Sequence, residues 1–403
     1  MHGARNQFSA ALLPRASLQQ PQMQLGTAQD AGAMRGIDFV SMRFAGLPVS
    51  TEQLVGTPGR ALEAAMLAQQ PVRLMSLAGV LGCCDSGLRA ALDFARQRDS
   101  GRCKLIEESP IRQRLSSAYA HLALADLVAQ TAARQLSFFP ANFAHTVAAA
   151  KLLVCEATSH TLEHGATVLG TRAWLTQGHF DGMFEKARRD HAMIRVIDSS
   201  EHGHRKALAM HLPLLAKAHQ ASALESWQAR LESALPQIFD LCAPLPAPAL
   251  EQLDLVARGP DMALAACQLW QTRLRTSVPD DYGLPQLLQR FYQALAQQLT
   301  QEVSDEWQAA MDWAWLHAAG VALACWHGSR QHPLFGAAPQ DAAWLAALLT
   351  ICLRQLGQTI EDESALEALL QHGLQQLQQG MLFCALPSKL AESPDFLSGQ
   401  ESA

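Results

Sequence analysis

Arg189-Asp190-His191-Ala192-Met193-Ile194-Arg195-Val196-Ile197-Asp198-Ser199-Ser200-Glu201-His202-Gly203-His204-Arg205 is the stretch on which the reading of this chain turns. A charged pair opens it, a short apolar-rich run follows, and a single carboxylate, Asp198, stands before two serines. Asp and Ser are the residue types that cap helix N-termini, because their oxygens accept from the first free backbone N–H groups. On that ground Asp198 marks a turn or the start of a helix near Gly203. A carboxylate placed within reach of a substrate C–H is also the kind of group that serves as a general base. Arg189 and Asp190 read as a local ion pair or a helix-end contact.

Around this stretch the chain reads as mainly α. It has 403 residues, 49% of them hydrophobic and 17% charged, enough for a large packed core and for two or three domains. Ala, Leu and Gln abound, and these are good helix formers. A net charge of −6 gives no electrostatic case for nucleic acid. Nine cysteines without a Cys-x-x-Cys pair suggest reduced core thiols in a cytoplasmic protein. The first twenty residues lack an uninterrupted apolar segment of secretory type. The longest apolar stretch, residues 313–326, contains His317 and is shorter than the ~20 residues of a membrane span, so a buried helix is expected there.

Residues 36–44 alternate apolar and polar side chains, as in a half-buried strand, and residues 56–59 are Gly/Pro turn punctuation. From Arg60 on, the three- and four-residue spacing of apolar positions predicts helices over 61–98, 111–136, 142–168, 179–187 and 203–217. A second series is predicted over 221–239, 249–273, 284–303, 306–328, 339–358 and 363–378, with 306–328 and 339–358 as an apolar hairpin. The division that follows is a β remnant at 1–59, a helical bundle at 60–215, a helical extension at 216–386 and a flexible tail at 387–403.

Four motifs stand in order along the first half. Residues 39–59 run from a strand through Leu47-Pro48-Val49 to Leu54-Val55-Gly56-Thr57-Pro58-Gly59. Residues 73–101 form a long helical pattern ending Arg98-Asp99-Ser100-Gly101. Residues 146–171 carry Lys151 and end Gly165-Ala166-Thr167-Val168-Leu169-Gly170-Thr171. The fourth is the segment quoted above. Together they resemble the acyl-CoA dehydrogenase family, from the end of its middle β-domain through its C-terminal helical domain; residues 216–403 are similar to the helical extension of longer members. The family's active-site segment has Arg-Asp, an apolar run and then Glu-Gly-Thr, where this chain has Asp198-Ser199-Ser200.

The resemblance implies an FAD-dependent α,β-dehydrogenation of an acyl-CoA thioester, with Asp198 in the place of the catalytic base. It implies cofactor contacts at Arg98, Ser100, Thr167, Gly170 and Ser200, and a homo-oligomer, or a hetero-oligomer with a chain that supplies the family's N-terminal part. Ser100 stands where the family has Phe, and Thr167 where it has Gln. Those replacements leave an alternative open, a non-catalytic or truncated member acting as a subunit or interaction protein. The pair His160 and His164 is helically spaced, but no His-Glu-x-x-His pattern accompanies it, and no metal is expected.

Overall fold

The computed structural model describes residues 7–300 and 304–390, and the polypeptide is mainly α throughout. The N-terminal portion contains two small antiparallel ladders. Strand β1 (Ala10–Ala11) pairs with β4 (Leu54–Val55), and β2 (Met23–Leu25) pairs with β3 (Met42–Phe44). The alternating stretch at 36–44 therefore yields only three strand residues, preceded by an isolated bridge between Gln29 and Phe39. Met42, Arg43 and Phe44 are all exposed, so no buried face rewards a longer strand.

Three long helices follow: α1 (Ala61–Gln97), α2 (Ser109–Phe138) and α3 (Phe143–Leu169). Small side chains line their contacts. Ala118, Ala123 and Ala125 on α2 and Ala148, Ala150 and Ala157 on α3 are fully or almost fully buried. Gly87 of α1 lies so close to Leu162 of α3 that a Cβ would meet its Cδ2 at 2.6 Å. Pro110 opens α2, where its missing N–H costs nothing, and Gly170 closes α3 in a positive-φ conformation (φ 59°).

A strained turn leads to α4 (Met183–Ile194). Phe180 and Asp181 adopt φ 46° and 50°, and Gly182 adopts φ 70° where a Cβ would run into the Thr176 carbonyl. Helix α4 outruns the expected 179–187 by seven residues at its C-terminal end. After the turn at 195–200 comes α5 (Glu201–Ala218).

The remaining helices are α6 (Ala221–Phe239), α7 (Met262–Leu269), α8 (Gln271–Ser277), α9 (Leu284–Thr300), α10 (Glu306–Gly328), α11 (Ala343–Gln355) and α12 (Ser364–Gln378). The single helix expected over 249–273 is instead a short 3-10 turn, an irregular connection, and the pair α7 and α8. Pro260 disfavours a helical residue before it, and Asp261 accepts from the N–H groups of Ala263 and Leu264, fixing the start of α7 there. Of the tail expected at 387–403, residues 391–403 lie outside the described residues.

Helix α10 is the axis of the second group. Its residues Trp313, Leu316, Val321, Ala322 and Cys325 are buried on every side, as expected of a helix apolar all round. It packs on α2, α3 and α5 as well as on α6, α7, α9 and α11, and α12 packs on α2. Most buried apolar residues of both helix groups accordingly form one cluster, with Leu136, Phe143 and Val147 as a small second one. Among the described residues no helix is long and apolar enough to cross a membrane.

Candidate functional site

The turn at 195–200 delivers Asp198 into a gap between α1 and α3. Arg73 of α1 donates through Nε to Asp198 Oδ2 at 3.0 Å. Lys151 of α3 places Nζ 3.1 Å from Oδ1, an ion contact off the hydrogen-bonding direction. The same ammonium donates to Ser76 Oγ at 2.6 Å and to the Ile194 carbonyl at 3.2 Å. Side-chain exposure is 2% for Asp198, 0% for Lys151 and 17% for Arg73. A carboxylate this dry is tolerated because its charge is met on both oxygens.

His204, on the first turn of α5, lies with Nε2 3.6 Å from Asp198 Oδ2, beyond hydrogen-bond length. Burial pushes its pKa down to about 4, outweighing the attraction of Asp198 and aided by Arg73 and Lys151. The imidazole is neutral at pH 7. Beside it is a cavity of ≈ 10 Å³ lined by Lys151, Cys155, Glu156, Arg195 and His204 among others. That is room for about one water.

Asp198 lies in a turn, one of the two placements expected for it. It is not the helix cap: Ser200 is, its Oγ accepting from the Gly203 N–H at 3.3 Å. Its oxygens face two cations, Arg73 and Lys151, and a proton acceptor needs a path to its substrate. Arg189 and Asp190 are structural, as expected. Arg189 pairs with Glu185 at 3.0 Å and contacts the Gly32 carbonyl, while Asp190 pairs with Lys186 and accepts from the Met34 N–H at 2.8 Å. They pin the N-terminal segment to α4.

The residues expected to meet a flavin do not converge on Asp198. Gly170 lies nineteen positions beyond Lys151 along α3, roughly 28 Å at about 1.5 Å per residue. At that end Ser100 Oγ is occupied by the Cys103 carbonyl and by Glu108, each at 3.0 Å. Ser100, Cys103 and Arg102 hold the Glu108 carboxyl below its usual range, which keeps a negative charge where a diphosphate would need positive ones. Thr167 Oγ1 donates to the Glu163 carbonyl at 2.9 Å, Ser200 is used as a cap, and Arg98, Ser100, Thr167 and Gly170 are exposed. The hydroxyls of Ser100, Thr167 and Ser200 are thus engaged within the chain, while Arg98 is exposed.

Two polar centres escape a reading centred on the motif. One is Arg73 with Lys151, for which a signal existed, since Lys151 is the sole charge in the apolar run 147–154 and a buried ammonium demands an anion. The other is Asp261, 1% exposed, which accepts from His317 Nδ1 at 2.7 Å and Trp313 Nε1 at 3.3 Å besides capping α7. His317 holds its carboxyl well below the ordinary value despite burial. The helically spaced histidines have different polar neighbours: His160 lies 3.6 Å from Glu156, beyond hydrogen-bond length, and His164 lies 3.4 Å from Ser117 Oγ.

Residues 59–211 match the family model described as acyl-CoA dehydrogenase, C-terminal domain. No curated protein matches the chain. Among solved structures, an acyl-CoA dehydrogenase from Bacillus anthracis complexed with FAD is similar over 93% of this chain and 62% of its own, at 13% identity and a TM-score of 0.57. Butyryl-CoA dehydrogenase from Megasphaera elsdenii matches 52% of each chain at 16% identity, with a TM-score of 0.47. Podospora anserina nitroalkane oxidase matches 50% of this chain and 48% of its own at 19% identity, with a TM-score of 0.46. The chain thus spans about half to three-fifths of the length of these proteins. The Bacillus anthracis likeness carries the fold through both helix groups. Residues 59–211 are therefore similar to the C-terminal helical domain of the acyl-CoA dehydrogenase family.

Proposed function

We propose that this chain is a non-catalytic helical member of the acyl-CoA dehydrogenase family that works by association, with Asp198 serving the bundle rather than a substrate. The observation that carries the reading is the closure of Asp198 between Arg73 and Lys151 at 2% exposure. A carboxylate so placed faces two cations and is cut off from any carbon acid. Support for association comes from apolar side chains left in solvent. Met75 on α1 is 73% exposed and Met210 on α5 is 71% exposed, with Leu62, Met66, Val196 and Ile197 also outside. A homo-oligomer that covers some of these side chains is the assembly we infer.

A second reading is favoured by the position of Asp198 in its motif and by the FAD-bound state of the Bacillus anthracis structure. In it the chain takes part in α,β-dehydrogenation of an acyl-CoA, with Asp198 released from its cations in a larger assembly. The visible absorption spectrum before and after FAD loading separates the two. A colourless protein that takes up no flavin and gives no acyl-CoA-dependent reduction of an artificial electron acceptor supports the first. A retained flavin band with turnover abolished by Asp198→Asn refutes it.

A further inference from the structure

The C-terminal end of α6 and the segment after α10 meet in a tight backbone junction. Gly328 approaches so closely that a Cβ would lie 2.7 Å from the Phe239 carbonyl carbon and oxygen. Ser329 Oγ donates to the Phe239 carbonyl at 2.9 Å and accepts from the Leu241 N–H at 3.1 Å. Behind the junction the guanidinium of Arg134, on α2, donates to the carbonyls of Gln237, Ile238, Leu241 and Ala243 at 2.7–3.3 Å. Both segments are thereby fixed relative to each other and to the bundle.

Three side chains with metal-binding atoms project from this junction: Asp240, which ends α6, Cys242 two residues on, and His332. Their ligand atoms all lie within 4.8 Å of one another. His332 Nε2 is 3.7 Å from Asp240 Oδ1, too long for a hydrogen bond. Cys242 is exposed and free, and the other two are half-buried.

We propose that Asp240, Cys242 and His332 bind one divalent transition-metal ion of the zinc type, a site separate from the Asp198 cluster and independent of the function proposed above. Donors around a tetrahedral zinc lie roughly 3.4 Å apart, given bond lengths of about 2.0–2.3 Å. The Asp240–His332 separation is already close to that, and the thiol completes the triangle by a side-chain rotation that moves it about an ångström. One sulfur, one nitrogen and one oxygen donor is a set that suits zinc or cobalt and disfavours magnesium and calcium, which take oxygen ligands. Burial and the neighbouring Asp240 push the Cys242 thiol up, with Arg134 opposing them, and a dication at this point favours the thiolate. Thiolate and carboxylate together then neutralise the ion. The rigid junction means little ordering is required on binding. Exposure of Cys242 gives the ion its path in and leaves a fourth position for water.

Cobalt(II) is the probe. The full chain is stripped of metal under reducing conditions and titrated with cobalt(II), then with zinc(II) as competitor. The expected result is one equivalent of tetrahedral cobalt with a thiolate-to-metal charge-transfer band that zinc abolishes. Cys242→Ser removes that band, and His332→Ala weakens binding at least tenfold. Cys103→Ser, at the half-buried thiol beside Glu108, leaves both unchanged. Both ligand variants alter side chains reached by solvent, and matching apo-protein melting curves establish that they fold. No thiolate band at millimolar cobalt, or a band that persists in Cys242→Ser, overturns the proposal.

Discussion

Replacing Asp198 by Asn tests the central claim about this fold. The substitution keeps shape and removes the one negative charge between Arg73 and Lys151. Arg73 is 17% exposed at its side chain and can turn toward water, but Lys151 is 0% exposed and keeps only the Ser76 hydroxyl and the Ile194 carbonyl as partners. Removing one partner of a buried pair costs about 3–5 kcal/mol, because the other charge stays in the interior. At roughly 2.1 cal/mol/K of unfolding entropy per residue, 403 residues give about 0.85 kcal/mol/K, so the melting temperature falls by about 4–6 °C. Lys151→Met is milder, since Arg73 and Asp198 remain as a neutral pair. In the double variant the cost of Asp198→Asn shrinks by about 1–2 kcal/mol, the coupling expected of groups in direct contact. Denaturant unfolding of the four proteins measures that coupling. An Asp198→Asn protein that melts within about 1 °C of the parent, or a cycle that closes with no coupling, refutes the structural role of this cluster.

Acid should weaken the fold in a defined window. Burial pushes His121 and His145 down to about 3, and His191 and His204 down to about 4. Their unfolded forms titrate near 6.5, so below that pH the unfolded chain binds more protons than the folded one. Stability therefore falls as pH drops from about 6.5 toward 4, each histidine losing about 1.36 kcal/mol for every full pH unit crossed. Asp126, raised to about 6 by burial, acts oppositely between 6 and 3.8 but is a single group against these histidines. Urea midpoints at pH 7.5, 5.5 and 4.5 should descend; a flat series would mean that these histidines are not held neutral. Gly373→Ala should cost about 1–3 kcal/mol by driving a Cβ to 2.7 Å from the buried Tyr119 ring, where α12 docks on α2; unchanged stability would show that docking to be loose. Asp261→Ala removes the α7 cap and the acceptor for His317 and Trp313, so a loss of about 3–5 kcal/mol is expected in the same unfolding assay, and a loss below about 1 kcal/mol would contradict the network.

The helices were legible wherever one apolar stripe or an unbroken apolar run met good helix formers. Helices α1, α2, α3, α6, α10 and α12 begin and end within two residues of their expected limits. Legibility failed where a single side chain decided the local structure. Asp261 gathers two N–H groups and starts α7 just after Pro260, which splits what reads as one helix over 249–273. The strand at 36–44 failed for another reason: alternation predicts a strand only if one face is buried, and Met42 to Phe44 are exposed.

The site was legible in position and not in environment. The motif places Asp198 at the start of α5 without the partners that set its chemistry. Arg73 lies 125 residues before it in sequence and Lys151 stands on another helix, so neither contact has a local signature. One part was open to inference: a lysine alone in the apolar run 147–154 requires a buried anion, and an isolated Asp after an apolar run is a natural candidate. Read together, those two facts point to a salt bridge before any family likeness is considered. The likeness fixes where an acid stands along the chain; what it does depends on the groups that face it. Here those groups are two cations, Arg73 and Lys151, with the His204 imidazole 3.6 Å away.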